Sequence, residues 1–198
     1  LKHLKKWMQP KKVGTPLLAQ PGRSRIEYTS QGVVFIMGPY NYPFVLCIQP
    51  LIGALAAGNT VIMKPSSLNP QTAKVMEKMA KEFFSPDLFQ IFLGSTEVTD
   101  ALLEEQFDHI FFTGSPRVGK IVLAKAAKYL TPVTLELGGK SPTIVHSDAK
   151  LDIAAKRILA GKMMNVGQTC IAPDHLFVHA SVKEEFERSF AERGEVGA

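Results

Sequence analysis

Apolar positions along this chain follow two alternating patterns. Short, nearly continuous runs of β-branched and other apolar residues are typical of strands that are covered on both faces of a sheet. They predict five strands, at residues 32–39, 59–65, 88–94, 108–114 and 132–137. Longer stretches lie between them and predict helices at about 44–57, 70–84, 97–105 and 115–130. Each crossover is long enough to return the chain parallel to its previous strand, which predicts an open, doubly wound, Rossmann-like α/β fold with a parallel sheet.

Two parts of the chain depart from this alternation. Residues 13–31 carry a Pro-Gly turn between two extended arms and predict a hairpin that leaves the main sheet. After residue 137 the pattern changes again, with strands predicted at 141–147 and 174–180 and helices at 151–164 and about 181–193. These elements predict the start of a second, incomplete α/β unit.

The composition is that of a globular protein. Of the 198 residues, 45% are hydrophobic and 21% are charged, and the net charge is +5. The longest apolar run, at 44–57, is interrupted by Gln49, Pro50 and Gly53 and is shorter than the roughly 20 residues that span a bilayer. Several lysines near the start are interpreted as a solvated helix face, because no nucleic-acid motif accompanies them. They are Lys2, Lys5, Lys6, Lys11 and Lys12. We therefore expect no nucleic-acid partner and no membrane segment.

The cysteines and the two ends of the chain bear on its origin. Cys47 and Cys170 are too few for a disulfide framework, and no secretory segment is recognisable at the start, which favours the cytoplasm. The chain begins with Leu1 and closes on ERGEVGA, so we expect it to be part of a longer protein. The histidines show no ligand set of suitable spacing, and no metal is expected. They are His3, His109, His146, His175 and His179.

Residues 111–120, FFTGSPRVGK, join a predicted strand to a predicted helix. Ser115 suits the N-cap, Pro116 suits the first helical position, and Gly114 permits a close backbone approach. The unbonded N–H groups of such a helix start suit a phosphate. The spacing from Gly114 to Gly119 fits neither GxGxxG nor a Walker A loop, so a plain strand-to-helix turn stays open as an alternative.

Three further polar side chains stand where predicted strands end. Lys64 directly follows a strand, at the edge where ligands of open α/β folds bind, although an ordinary exposed lysine is the alternative. Asn41, between two prolines in GPYNYPF, either bonds its own backbone or donates to an oxyanion. Glu136, ahead of two glycines in TLELGGKSP, is either a surface acid or a general base that can approach and withdraw.

The two cysteines lie in different settings. Cys47 stands in an apolar helical run and fits the description of a small buried filler. Cys170 stands in MNVGQTCIAPD, where Gly167, Gln168 and Thr169 supply the polar loop that a nucleophilic thiol needs. The local sequence therefore makes Cys170 the candidate nucleophile.

Five segments of the chain occur in the order and approximate spacing of the aldehyde dehydrogenase superfamily. They are GPYNYPF, AAGNTVIMKPS, FFTGSPRVGK, TLELGGKSP and NVGQTCIAPD. The chain resembles this family from about residue 13 to residue 190. TPVTLELGGKSP and GQTCIAPD look most like the class 3 branch, whose members oxidise medium-chain and aromatic aldehydes with NAD or NADP. The resemblance implies the same reaction, in which a cysteine thiohemiacetal becomes a thioester and water releases the acid.

The resemblance also implies a role for each matching residue. Cys170 would be the nucleophile, Glu136 the general base, and Asn41 an oxyanion donor together with the backbone N–H of Cys170. The residues that would face the cofactor are Lys64, Ser67, Gly114, Ser115, Gly119, Leu137 and Gly138. Residues 1–12 and 32–137 would form the nucleotide-binding domain, 13–31 the bridging hairpin of a homodimer, and 138–198 part of the catalytic domain.

Two positions depart from the family pattern. Many relatives carry tryptophan where Tyr40 stands and an acidic residue where Ser67 stands. A neutral Ser67 repels a 2′-phosphate less, so we expect NADP to be tolerated. The family's later motif, in which a glutamate and a phenylalanine grip the nicotinamide ribose, is not found here. Two alternatives to an active enzyme are a nucleotide-binding module without turnover and a structural piece that needs a complementary chain.

Overall fold

The computed structural model describes residues 3–195 of the chain. The chain divides into two compact units, Leu1–Glu136 and Leu137–Ala198. No helix in residues 3–195 has the length and apolar character that crossing a membrane requires.

The first unit begins with a short helix and a hairpin whose strands are not part of the main sheet. A short helix, α1 (Leu4–Trp7), precedes strands β1 (Lys11–Val13) and β2 (Ser24–Ile26), which pair antiparallel. Lys11 and Lys12 lie on β1, so the prediction of one helix face that included them was wrong. Pro10 explains the difference, because its ring and missing N–H end helical structure at the residues before it. The prediction for Lys2 lies outside the described residues.

Strands and helices then alternate through the rest of this unit. In chain order they are β3 (Val33–Met37), α2 (Val45–Ala56), β4 (Thr60–Lys64), α3 (Pro70–Phe83), β5 (Phe89–Ile91), α4 (Thr96–Leu103), β6 (His109–Thr113), α5 (Pro116–Ala126) and β7 (Val133–Glu136). The five strands pair in parallel in the order β5-β4-β3-β6-β7. The predicted parallel α/β sheet is confirmed.

The strand order sets where the sheet can bind a ligand. From β3 the chain moves to β4 and β5 on one side, and then returns to place β6 and β7 on the other. The order therefore reverses between β3 and β6. In open α/β sheets this switch point, at the carboxyl ends of the strands, is where ligands bind.

The two faces of the sheet are both covered by apolar residues. Val34 and Ile36 of β3 share a buried cluster with Cys47 of α2 and Met76 of α3. The intervening Phe35 is fully buried, and its ring stacks on Phe107 with the ring centroids 4.8 Å apart. The continuous apolar sequence of β3 is thus explained by burial on both faces.

The second unit is a smaller α/β arrangement. Its elements are β8 (Ser141–Val145), α6 (Leu151–Met163), a 3₁₀ segment (Met164–Gly167), β9 (Pro173–Val178), a 3₁₀ turn (Ala180–Val182) and α7 (Lys183–Glu195). The strands β8 and β9 pair in parallel, and the helix α6 lies between them in sequence. Val145, Leu151, Ala155, Ile158 and Phe186 form its buried core.

Asn59 ties the start of β3 to the end of α2. Its Oδ1 accepts from the backbone N–H groups of Gln31 and Gly32, at 2.7 and 3.1 Å, and its Nδ2 donates to the Ala54 carbonyl at 3.0 Å. The residue is only 6% exposed. Asn59 is thus the side-chain acceptor for two part-buried backbone donors ahead of β3, whereas the Ala54 carbonyl also accepts from the Asn59 backbone N–H at 3.1 Å.

We predict that Asn59→Ala lowers the free energy of unfolding by about 2 kcal/mol, because it leaves the backbone N–H groups of Gln31 and Gly32 without their acceptor. Urea denaturation measures the change. Gln49→Ala, which removes an exposed amide from α2, is the control and should stay within about 0.5 kcal/mol of wild type. Equal midpoints for Asn59→Ala and wild type would contradict this account.

Candidate functional site

The first unit brings four strand ends to one edge of its sheet. Lys64, the last residue of β4, lies beside Met37 of β3, and Glu136, the last residue of β7, lies beside Thr113 of β6. The pairing continues into the loops, since Gly38 N–H donates to the Lys64 carbonyl at 3.1 Å. Gly114 N–H likewise donates to the Glu136 carbonyl at 2.9 Å. The predicted residues of this unit therefore stand at or just beyond the same sheet edge.

Lys64 is a buried lysine at this edge. It is 6% exposed, and its Nζ donates to the carbonyl of Pro65 at 3.3 Å. Burial lowers the pKa of its ammonium group. An ammonium carries three donor protons, so Lys64 has the capacity to donate to hydroxyl oxygens of a ligand as well. The alternative of an ordinary exposed lysine does not describe this residue.

Helix α5 begins at the same edge with a regular cap. Ser115 has an extended backbone, and its Oγ accepts from the Val118 N–H at 3.3 Å. Packing at position 114 requires glycine, because an added methyl group would lie 2.5 Å from the Phe112 ring. The N–H of Gly119 donates to the Ser115 carbonyl at 2.9 Å inside the helix. The start of α5 thus has the geometry that suits an anion.

The loop after β3 holds Asn41 half-buried between that strand and α2. A methyl group added at Gly38 would overlap the Cys47 Sγ, so the loop packs directly on this thiol. Burial of Cys47 raises its pKa to about 12. The thiol is therefore neutral and enclosed, as the sequence predicts for a filler.

Cys170 belongs to the second unit and is exposed. It lies in a turn that the Ala172 N–H closes by donating to the Thr169 carbonyl at 3.1 Å. Within residues 3–195, nothing accepts a hydrogen bond from the backbone N–H of Cys170. The turn thus presents a thiol and a backbone donor on the same residue, which is what nucleophilic attack on a carbonyl requires.

The segment before this turn has an unusual backbone. Asn165, Val166 and Gly167 have φ values of 51°, 55° and 76°, all in the left-handed region. A β-branched residue such as Val166 is rarely found there, and the conformation costs about 1–2 kcal/mol. Asn165 and Gly167 are residue types that tolerate the left-handed region, but nothing in the sequence marks Val166, so this strain ahead of the thiol was not predicted.

A backbone contact of Gly139 was also not predicted from the sequence. A methyl group added at this glycine would overlap the backbone carbonyl oxygen of Cys170. From the sequence, Gly138 was expected to face the cofactor, and no role was expected for Gly139. The neighbouring Lys140 donates to Asp174 Oδ1 at 3.3 Å, so the segment that leads into β8 is in contact with the start of β9.

The remaining predicted residues are placed as follows. Glu136 is exposed at the end of β7, Ser67 is exposed in the loop after β4, and Leu137 and Gly138 begin the second unit. Within residues 3–195, no group of three or more His, Cys, Asp or Glu side chains could hold a metal ion.

Comparisons with family models and with curated protein sequences identify the same family. The family model described as aldehyde dehydrogenase family matches residues 4–196. Aldehyde dehydrogenase family 3 member A2 of Macaca fascicularis is 51% identical over 185 residues, which are 93% of this chain and 38% of that protein. The dimeric NADP-preferring aldehyde dehydrogenase of Mus musculus is 46% identical over 185 residues, which are 93% of this chain and 41% of that protein.

Solved structures agree with the sequence relatives. The substrate-bound state of Staphylococcus aureus AldH superposes with a TM-score of 0.93 at 46% identity, covering 97% of this chain and 42% of that chain. This chain spans about two fifths of the length of the curated relatives that it matches.

The two thiols should differ sharply in reactivity. We predict that iodoacetamide at about pH 8 labels Cys170 and leaves Cys47 unmodified, because a thiol with a pKa near 12 is ionised there to about one part in ten thousand. Peptide mass spectrometry assigns the label. Unfolding in urea, as the control, should make both cysteines react. Labelling of Cys47 in the folded protein would contradict its enclosed position.

Proposed function

The chain belongs to the aldehyde dehydrogenase family, and on this premise we propose that its protein oxidises an aldehyde to a carboxylic acid with NAD or NADP through a covalent intermediate on Cys170. The observation that carries the proposal is the exposed Cys170 in a tight turn, with its own backbone N–H unbonded to other groups in residues 3–195. The buried Cys47 is the contrast, because its neutral thiol is unsuited to attack.

The edge of the first unit fits a dinucleotide. The buried ammonium of Lys64 would donate to ribose hydroxyls. The start of α5, with Gly114 and Ser115 ahead of it and Gly119 within its second turn, would face the pyrophosphate. We propose that Ser67, Leu137 and Gly138 complete the contacts. When bound, the nicotinamide accepts the hydride that leaves the substrate.

The thiol chemistry follows from the groups on Cys170. The thiolate would attack the aldehyde carbonyl carbon and form a C–S bond, leaving a negative charge on the former carbonyl oxygen. The backbone N–H of Cys170 and the side-chain amide of Asn41 are the proposed donors to this oxyanion. Loss of hydride from the same carbon restores the C=O bond and leaves a thioester on the sulfur.

Hydrolysis of the thioester requires a base, and we assign this role to Glu136. Its carboxylate would take a proton from water, whose oxygen then attacks the thioester carbonyl. The C–S bond breaks, the acid leaves, and the thiol of Cys170 is regenerated. The exposed position of Glu136 at a strand end, followed by two glycines, suits a base that must move.

The substrate and the assembly are also proposals. The class 3 resemblance favours a medium-chain or aromatic aldehyde. The proposed contact of a homodimer is the hairpin of β1 and β2, which lies within residues 13–31 except for its first two positions. A related mouse enzyme is described as dimeric. Two unpaired cysteines suit a reducing compartment, which supports a cytoplasmic location.

A second candidate is a nucleotide-binding module without turnover. It is favoured by one observation: the residues proposed for ribose and pyrophosphate all lie in the first unit, on a complete run of five paired strands. This candidate predicts nucleotide binding whether or not Cys170 is intact.

We predict that Cys170→Ala lowers the rate of NAD(P)H formation from an aromatic aldehyde by at least about a thousandfold, because it removes the nucleophile. Nucleotide affinity should stay within about twofold, since the proposed nucleotide contacts are elsewhere. Absorbance at the reduced nicotinamide band and nucleotide titration measure the two. Cys47→Ala is the control and should retain turnover. Equal rates for Cys170→Ala and wild type would contradict the proposed role, and binding without any wild-type turnover would favour the second candidate.

We also predict that Ser67→Glu weakens NADP binding by roughly tenfold while NAD binding is retained, because a carboxylate near the ribose repels a 2′-phosphate. Titration with both nucleotides measures the difference. Ser85→Glu adds the same charge ahead of β5, at the opposite edge of the sheet, and should change neither affinity. Wild-type protein that binds NAD tighter than NADP by orders of magnitude would count against the tolerance we infer from Ser67.

A further inference from the structure

We propose that Gly139 is a positioning residue for Cys170, because the absence of a side chain allows the peptide group after the thiol to lie against it. The inference rests on the proposed function, in which Cys170 is the nucleophile. Gly139 and Cys170 belong to the same unit, so the contact is a property of that unit alone.

The contact is between backbone groups. A methyl group added at Gly139 would overlap the carbonyl oxygen of Cys170, and it would lie 3.5 Å from the carbonyl carbon of that residue. A rotamer change cannot relieve such an overlap, because a backbone oxygen moves only with its peptide. Any side chain at Gly139 therefore rotates or shifts the peptide that joins Cys170 to Ile171.

Parallel strand pairing brings these two segments together. Gly139 leads into β8 and Cys170 leads into β9, and Ser141 is paired with Pro173 where the two strands begin. The register shifts just after this pair, and Lys140 donates to Asp174 Oδ1 at 3.3 Å beside it. The approach of Gly139 to Cys170 is thus fixed by the ladder that follows it.

The chain before the thiol is constrained as well. Asn165, Val166 and Gly167 hold three successive left-handed conformations ahead of the turn at Thr169. Such conformations persist only where the surrounding structure imposes them. The position of Cys170 is therefore constrained by the left-handed segment before it and by the contact with Gly139 after it. A displacement of its peptide moves the Cα, the thiol and the N–H donor together.

The adjoining glycine supplies a matched control. A methyl group added at Gly138 would meet nothing within 4 Å. Neither Gly138 nor Gly139 has a left-handed backbone that only glycine favours. Alanine at the two positions therefore differs in what its methyl group meets, and not in backbone strain.

The experiment measures the alkylation rate of Cys170 by iodoacetamide in the full protein, without nucleotide or aldehyde, with the site assigned by peptide mass spectrometry. We expect Gly139→Ala to change the rate constant by about threefold or more, and Gly138→Ala to leave it within about 1.5-fold of wild type. In the proposed oxidation, Gly139→Ala should also lower kcat by about tenfold or more with the nucleotide Kd unchanged. A wild-type alkylation rate in folded Gly139→Ala, or an unchanged kcat, would overturn the proposal.

A second variant covers the case in which Gly139→Ala does not fold. Ile171 is 79% exposed, so Ile171→Gly removes little packing and frees the same peptide to rotate away from the new methyl group. The double variant Gly139→Ala with Ile171→Gly should fold and should differ from Ile171→Gly alone in Cys170 alkylation by about threefold or more. Equal rates would overturn the proposal. If wild type proves unable to oxidise aldehydes, the proposed function fails, and the alkylation rates still decide the role of Gly139.

Discussion

Parallel strand pairing is the constraint on which the rest of this structure depends. Strands that run in the same direction present their carboxyl ends at one edge, and this alone places Lys64 and Glu136 on a common side of the first unit's sheet. Asn41 and Ser115 lie in the loops that follow β3 and β6, and both loops start at this same edge. Burial of the strands on both faces makes the register costly to shift, and the edge is correspondingly well defined.

The same constraint acts on a smaller scale in the second unit. Among the described residues of this unit only β8 and β9 pair, yet their parallel register brings Gly139 against the peptide of Cys170. Burial then separates the two thiols of the chain. Cys47 is enclosed beneath the Gly38 loop, where its proton is held, whereas Cys170 is exposed in a turn with a backbone donor of its own. The chain thus has one cysteine suited to chemistry and one that serves packing, and the amino-acid composition alone does not tell the two apart.

Much of the first unit's fold could be predicted from the sequence, because its central strands are continuous apolar runs and two of its helices begin at prolines. β3 and β6 fall within the predicted ranges, and α3 and α5 begin at Pro70 and Pro116. The hairpin start at Lys11 was missed, since lysines carry little strand signal and α1 is too short for a helical period. The burial of Lys64 and the contact of Gly139 depend on which segments become neighbours in space. The pattern of apolar and polar residues along the chain does not identify these neighbours. The left-handed Val166 contradicts local preference, as strained residues near functional groups often do.

The central claim is that Cys170 forms the covalent intermediate and that Glu136 releases it. The most direct test is peptide mass spectrometry of the Glu136→Gln variant after incubation with an aromatic aldehyde and NADP or NAD. The account predicts an acyl group on the Cys170 peptide, with the mass of the aldehyde less two hydrogens, and only when aldehyde and nucleotide are both present. No adduct under these conditions, or an adduct on Cys47, would contradict the account.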